Sequence, residues 1–101
     1  MMDQDGILAA FLEAAPMDKR LIPSHIALFT AIFHLLKKTG SCTTVKITRQ
    51  EVMQLAKISS ISTYHKRIND LMSFQYLDYR PSYDHYKGSF VIFLIKKAIN
   101  S

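Results

Sequence analysis

Between Ser60 and Asn69 the chain sets hydroxyls, cations and a carboxamide at helical spacing. Ser62, Lys66 and Asn69 recur at steps of four and three, so they share one face of a helix, with His65 and Arg67 on its flanks. The chemistry open to such side chains is recognition by hydrogen bonding rather than bond making. Lys66, His65 and Arg67 offer cations for phosphate or guanine, and Asn69 can reach adenine. Ser60, Ser62 and Thr63 are small and polar at the start of the helix, where backbone amides can approach a phosphate. A second group, Arg80, Tyr83, His85 and Lys87, combines charge with flat donors and would make a phosphate clamp. A plainer reading stays open for both groups. Ser59 and Ser60 would then be caps, Lys66, Arg67 and Asp70 a solvated helix surface, and residues 81–88 a solvated hairpin with its aromatics folded back.

Catalytic or metal chemistry finds little to work with. His25, His34, His65, His85 and Cys42 are scattered over separate elements without metal-ligand spacing. His65 has no accompanying nucleophile and carboxylate, and three glycines form no phosphate-binding loop. The expectation is a protein that is not an enzyme and carries neither metal nor cofactor.

The charge distribution narrows the class of partner. Of the 101 residues, the first 18 carry four acids and no base, which leaves 13 basic against four acidic residues, or +9, on residues 19–101. A body this basic favours a polyanion, although basic solvated surfaces are common. Cys42 is the one cysteine and cannot form an internal disulfide, which fits a reducing cytoplasm. The apolar run 26–36 is broken by Thr30 and His34 and is too short to span a bilayer, and the acidic start is unlike a signal peptide. Nearly half the residues are apolar, enough for one core, so residues 1–101 are expected to form a single domain.

The elements that must position the polar groups can be read in order. Ile7, Leu8, Phe11 and Leu12 form a one-sided stripe for a short helix ending before Pro16. Residues 16–22 connect it to a helix over 23–38, with Pro23 at its first position, apolar residues around most of its circumference and Gly40 as its stop. His34 lies on its narrow polar edge. Residues 42–47 are rich in β-branched side chains and read as a brief strand. Thr48 to Glu51 is a capping box that opens a third helix, with Val52, Leu55 and Ala56 as its apolar stripe. Lys57-Ile58-Ser59-Ser60 interrupts it, and Ile61, Tyr64, Ile68 and Leu71 then line the inner face of a fourth, with the Tyr64 hydroxyl at the edge. Residues 76–80 and 89–95 read as strands joined by a polar connection. The last strand is apolar on both alternating sets, so one face should pack on the helices and the other needs the N-terminal helix or a second subunit.

This order, and above all TRQEVMQLAKISSISTYHKRINDLMSFQYL followed by YRPSYDHYKGSFVIFLI, resembles the winged helix-turn-helix family of bacterial DNA-binding proteins, including small regulators and replication-organiser domains of mobile elements and phages. The resemblance implies an α+β fold of three to four helices, a small antiparallel sheet and a C-terminal wing hairpin. Residues 20–95 would be the winged-helix core, 1–18 a helical extension and 96–101 a tail. It also implies that the helix over 60–74 enters the major groove and that the hairpin touches backbone or minor groove. The function implied is sequence-specific binding of double-stranded DNA, in transcriptional control or as an accessory factor for a mobile element's replication or excision. The alternative is a winged-helix protein-interaction or dimerisation module without direct DNA binding; a homodimer through the N-terminal helix or the last strand would serve either reading. The break between the third and fourth helices departs from the usual pattern because it contains no glycine.

Overall fold

The computed structural model describes residues 4–40, 43–81 and 88–94, with side chains from residue 6. Four helices and three strands follow in the order α1 (Gln4–Ala14), a 3-10 turn (Ala15–Met17), α2 (Pro23–Thr39), β1 (Thr44–Ile47), α3 (Arg49–Ala56), α4 (Ile61–Ser73), β2 (Leu77–Arg80) and β3 (Ser89–Phe93). The architecture is α+β. The strands form one antiparallel sheet in the order β1-β3-β2, so the last strand is the central one.

α2 is the hub of the core. Leu28, Phe29, Ile32, Phe33, Leu35 and Leu36 are buried along it, and it touches each of the other helices and β1. Pro23 opens it without losing a needed amide donor, and Gly40 closes it in the left-handed conformation at φ 76°. Phe29 binds the layers together. Its ring lies parallel to Phe11 of α1 at 3.8 Å between centroids and edge-on to Phe93 of β3 at 5.0 Å.

Among the described residues, the sheet has one covered and one open face. Val45 and Ile47 of β1, Val91 and Phe93 of β3 and Leu77 of β2 point into the core, each at most 2% exposed. The alternate residues face outward, among them Lys46, Arg80 and Phe90. Of the two covers expected for this second face, the N-terminal helix or a second subunit, the first is corrected. α1 docks instead through Ile7 and Phe11 onto α2 and Tyr76, and Phe90 remains 46% exposed.

Three residues expected in the core stripes lie at the surface. Leu12, Leu55 and Ile61 are 47%, 45% and 50% exposed. In each helix the neighbouring α2 is met by a stripe only one residue wide per turn: Ile7 and Phe11 in α1, Val52 and Ala56 in α3, Tyr64, Ile68 and Leu71 in α4. One step off that line, Leu8, Met53 and Met72 still pack partly on the core, whereas Leu12, Leu55 and Ile61 lie beyond its margin. The Tyr64 hydroxyl, expected at the edge, is buried and has no hydrogen-bond partner among the described residues.

α3 and α4 end in the same way. Lys57 and Gln75 follow them at φ 60° and φ 67°, left-handed although neither is glycine. In each case the next amide reaches back five residues, from Ile58 to the Met53 carbonyl at 3.0 Å and from Tyr76 to the Leu71 carbonyl at 3.0 Å. These are Schellman closures, and burial of Ile58 and Tyr76 immediately afterwards holds the strained residue in place. The turn between α3 and α4 therefore closes without glycine because a buried side chain on its far side sets the backbone.

Candidate nucleic-acid interface

Thr48 and Ser60 start the two helices. The Thr48 hydroxyl accepts from the Glu51 amide at 3.3 Å, and the Ser60 hydroxyl accepts from the Thr63 amide at 3.2 Å. Ser60 is thus a working cap, and its oxygen also lies 3.0 Å from that of Ser62. With Tyr64, Ile68 and Leu71 facing α2 and the sheet, the opposite side of α4 presents Ile61, Ser62, His65, Lys66 and Asn69 to solvent. No acid stands on this face; Asp70, the one acid of α4, lies on its flank.

Arg67 is placed differently from Lys66. Its side chain is 20% exposed and its guanidinium pairs with Asp70 at 3.0 Å. The same Asp70 oxygen takes a hydrogen bond from Nε2 of His25 at 2.8 Å, while Nδ1 of His25 accepts from the Ile22 amide at 3.0 Å. Because Nδ1 accepts, Nε2 must carry the hydrogen. Asp70 is held below the usual carboxylate value, chiefly by the hydrogen bond from His25 and also by that from Arg67, against an opposing effect of burial. This network ties α4 to the first turn of α2, and sequence reasoning missed it. The signal available was a histidine two residues after Pro23 and an acid in a basic segment; their pairing across 45 residues was not readable.

A second carboxylate does a similar task next to it. Asp18 receives Nε and Nη2 of Arg20, both at 2.8 Å, and the Tyr76 hydroxyl at 2.5 Å. The Arg20 hydrogen bonds hold Asp18 far below the ordinary range, while burial and the hydrogen bond to Asp18 push Tyr76 up to about 12. Arg20 also lies over the Phe74 ring at 4.2 Å, so the connector before α2 is clamped to the end of α4.

Of the hairpin residues, Arg80 is described. It is exposed and pairs with Asp78 at 3.0 Å. Tyr83, His85 and Lys87 lie outside the described residues, as does Cys42. The hairpin returns through Gly88 at φ 70°, where a β-carbon would sit 2.6 Å from the Ile47 carbonyl oxygen. Only glycine fits that crossing, which brings the base of the hairpin hard against the end of β1.

One surface adjoining α4 was not foreseen. A groove of about 720 Å³ runs along the outside of α3 to the start of α4, lined by Arg49, Gln50, Gln54, Lys57, Ser59 and Ile61 among others. Its donors are cations, carboxamides and a hydroxyl, next to the Ser60 cap. Among the described residues, no three His, Cys, Asp or Glu side chains are grouped to hold a metal ion, and no helix is long and apolar enough to cross a membrane. Comparison with protein-family models, with curated proteins and with solved structures finds no match to the chain.

Proposed function

We propose that the chain is a winged helix-turn-helix domain that binds double-stranded DNA sequence-specifically, as a transcriptional regulator or as an accessory factor in a mobile element's replication or excision. The observation that carries this reading is α4. Its buried side is fully apolar or aromatic, and its exposed side offers Ser62, His65, Lys66 and Asn69 without an acid. In this reading α4 lies in the major groove, Asn69 and Lys66 meet base edges or phosphate, and Ile61 is available for a thymine methyl. Arg49 and Lys57, on the rim of the groove beside it, meet the backbone, and the β2–β3 hairpin is the wing, with Arg80 at its base.

The test is duplex binding as salt is varied. A specific complex should weaken steeply, by about 0.9 log units per log unit of salt for each phosphate neutralised. Failure to retain any duplex at low salt overturns the reading. Lys66→Ala should weaken binding where Lys38→Ala, on the exposed end of α2, does not; equal effects would argue against α4 as the reading element.

A second reading, a docking or dimerisation module, draws on the exposed apolar side chains Leu12 and Met17 at the end of α1. Ile7 and Phe11 are spent in the core and cannot serve it. Light scattering at micromolar concentration tests it: a monomer removes the homodimer form of this reading.

A further inference from the structure

The open face of the sheet carries an arrangement that a solvated surface does not require. Phe90 lies on the central strand, pairs across to Lys46 on one side and to Arg80 on the other, and is 46% exposed. Side chains directly opposite one another in an antiparallel ladder stand about 5 Å apart, so two cations flank one bare aromatic ring in a single row. Asp78, in the next row, is taken up by Arg80, whose Nε and Nη2 both reach the same carboxylate oxygen at 3.0 Å. A guanidinium has five N–H donors, so others remain for a phosphate, and Lys46 has no acid opposite it in the ladder.

We propose that this face is a second binding site, at which Phe90 stacks on an unpaired base of single-stranded DNA while Lys46 and Arg80 hold the phosphates on either side. Duplex DNA does not fit the row, because its bases offer edges in the grooves and keep their flat faces inside the stack. An unpaired base exposes that face, and every base has one, so the site is indifferent to sequence. A second copy of the chain is disfavoured as the occupant. A two-fold contact centred on Phe90 would bring Lys46 and Arg80 of each copy against the same cationic row of the other. The choice of DNA over RNA rests on the reading of α4 as a duplex-DNA helix. The stacking geometry does not.

The experiment uses the full chain and measures anisotropy of a labelled oligothymidine, an oligouridine and a duplex in parallel. Oligothymidine should bind, with a log–log salt slope of about 0.7 per phosphate contacted. Phe90→Ala should weaken it about tenfold, as loss of one stacked base implies. Phe90→Tyr, which keeps the ring, should bind as the parent does, and Lys46→Ala should lower the salt slope. Duplex binding should be the same in parent and Phe90→Ala. Oligothymidine binding unaffected by Phe90→Ala, or a parent dimer that Phe90→Ala converts to a monomer unable to bind oligothymidine in either state, overturns the proposal. Tighter binding of oligouridine overturns the assignment to DNA. A chain that binds no duplex yet binds oligothymidine through Phe90 removes the α4 reading and leaves this site standing.

Discussion

The two flanks of α4 are both polar, yet they are held in opposite ways. On one, Asp70 and Arg67 turn toward the start of α2 and are locked with a histidine whose side chain is 3% exposed. On the other, His65, Lys66 and Asn69 have solvent in front of them. The charged side chains of one helix thus divide between orienting it and facing solvent. Neighbours in sequence fall on opposite sides of that division: Lys66 is exposed and Arg67 is paired. A polar residue on this helix is available for binding only if no buried group depends on it.

The sharpest way to break this contrast is Asp70→Ala. It leaves the Nε2 hydrogen of buried His25 without an acceptor and Arg67 without its partner, and should cost about 2–3 kcal/mol in chemical denaturation. Asp70→Asn retains an acceptor and should cost less. A loss no greater than that of an exposed substitution such as Asn69→Ala would show that the two flanks are equivalent.

Binding should show the reverse order. Lys66→Ala should lower the salt slope of duplex binding by about 0.9 with stability within about 0.5 kcal/mol of the parent. Arg67→Ala should lose stability first and affect the slope less. If Arg67→Ala lowers the slope as much as Lys66→Ala, Arg67 leaves Asp70 to meet DNA, and the locked flank belongs to the interface as well.

Acid sharpens the comparison from a different side. Asp70 and Asp18 both have depressed folded values, so their stabilisation is complete above the unfolded carboxylate value near 4 and is lost as pH falls below it. Unfolding free energy measured from pH 6 downward should stay level to about pH 4 and then decline. Asp70→Asn should make that decline shallower, whereas Asn69→Ala, on the exposed flank, should not change it.

The smallest effect expected lies in the turns. Lys57→Gly relieves a left-handed residue at φ 60° and should stabilise the fold by at most about 1 kcal/mol, read from a denaturation midpoint with unchanged slope. Gln75→Gly should behave alike, because the same closure ends α4.

Much of the architecture was legible because its signals are local. Pro23 and Gly40 bound α2, Thr48 and Ser60 start α3 and α4, and Tyr64, Ile68 and Leu71 lie at helical steps. Strand positions followed from β-branched and alternating residues; among the described residues, Thr43, Tyr76 and Leu94 fall just outside the strands expected to include them. Less of the candidate site was legible. Ile61 and Leu55 share the period of the core residues, and period alone cannot say how wide a neighbouring wall will be. The pairing of Arg67 with Asp70 is a local step of three, but sequence could not show that His25, 45 residues away, fixes that carboxylate on the inner flank.

By itself, then, the sequence determined where α2, α3 and α4 start, roughly where the strands lie and that the body is basic, because caps, turns and side-chain period act within a few residues. Tertiary structure alone decided which polar groups are spent on the fold and which are free. It paired His25 with Asp70, left Ile61 exposed and set Phe90 between Lys46 and Arg80 on an uncovered sheet. Those outcomes depend on which surfaces meet across long stretches of chain, and no local rule carries that information.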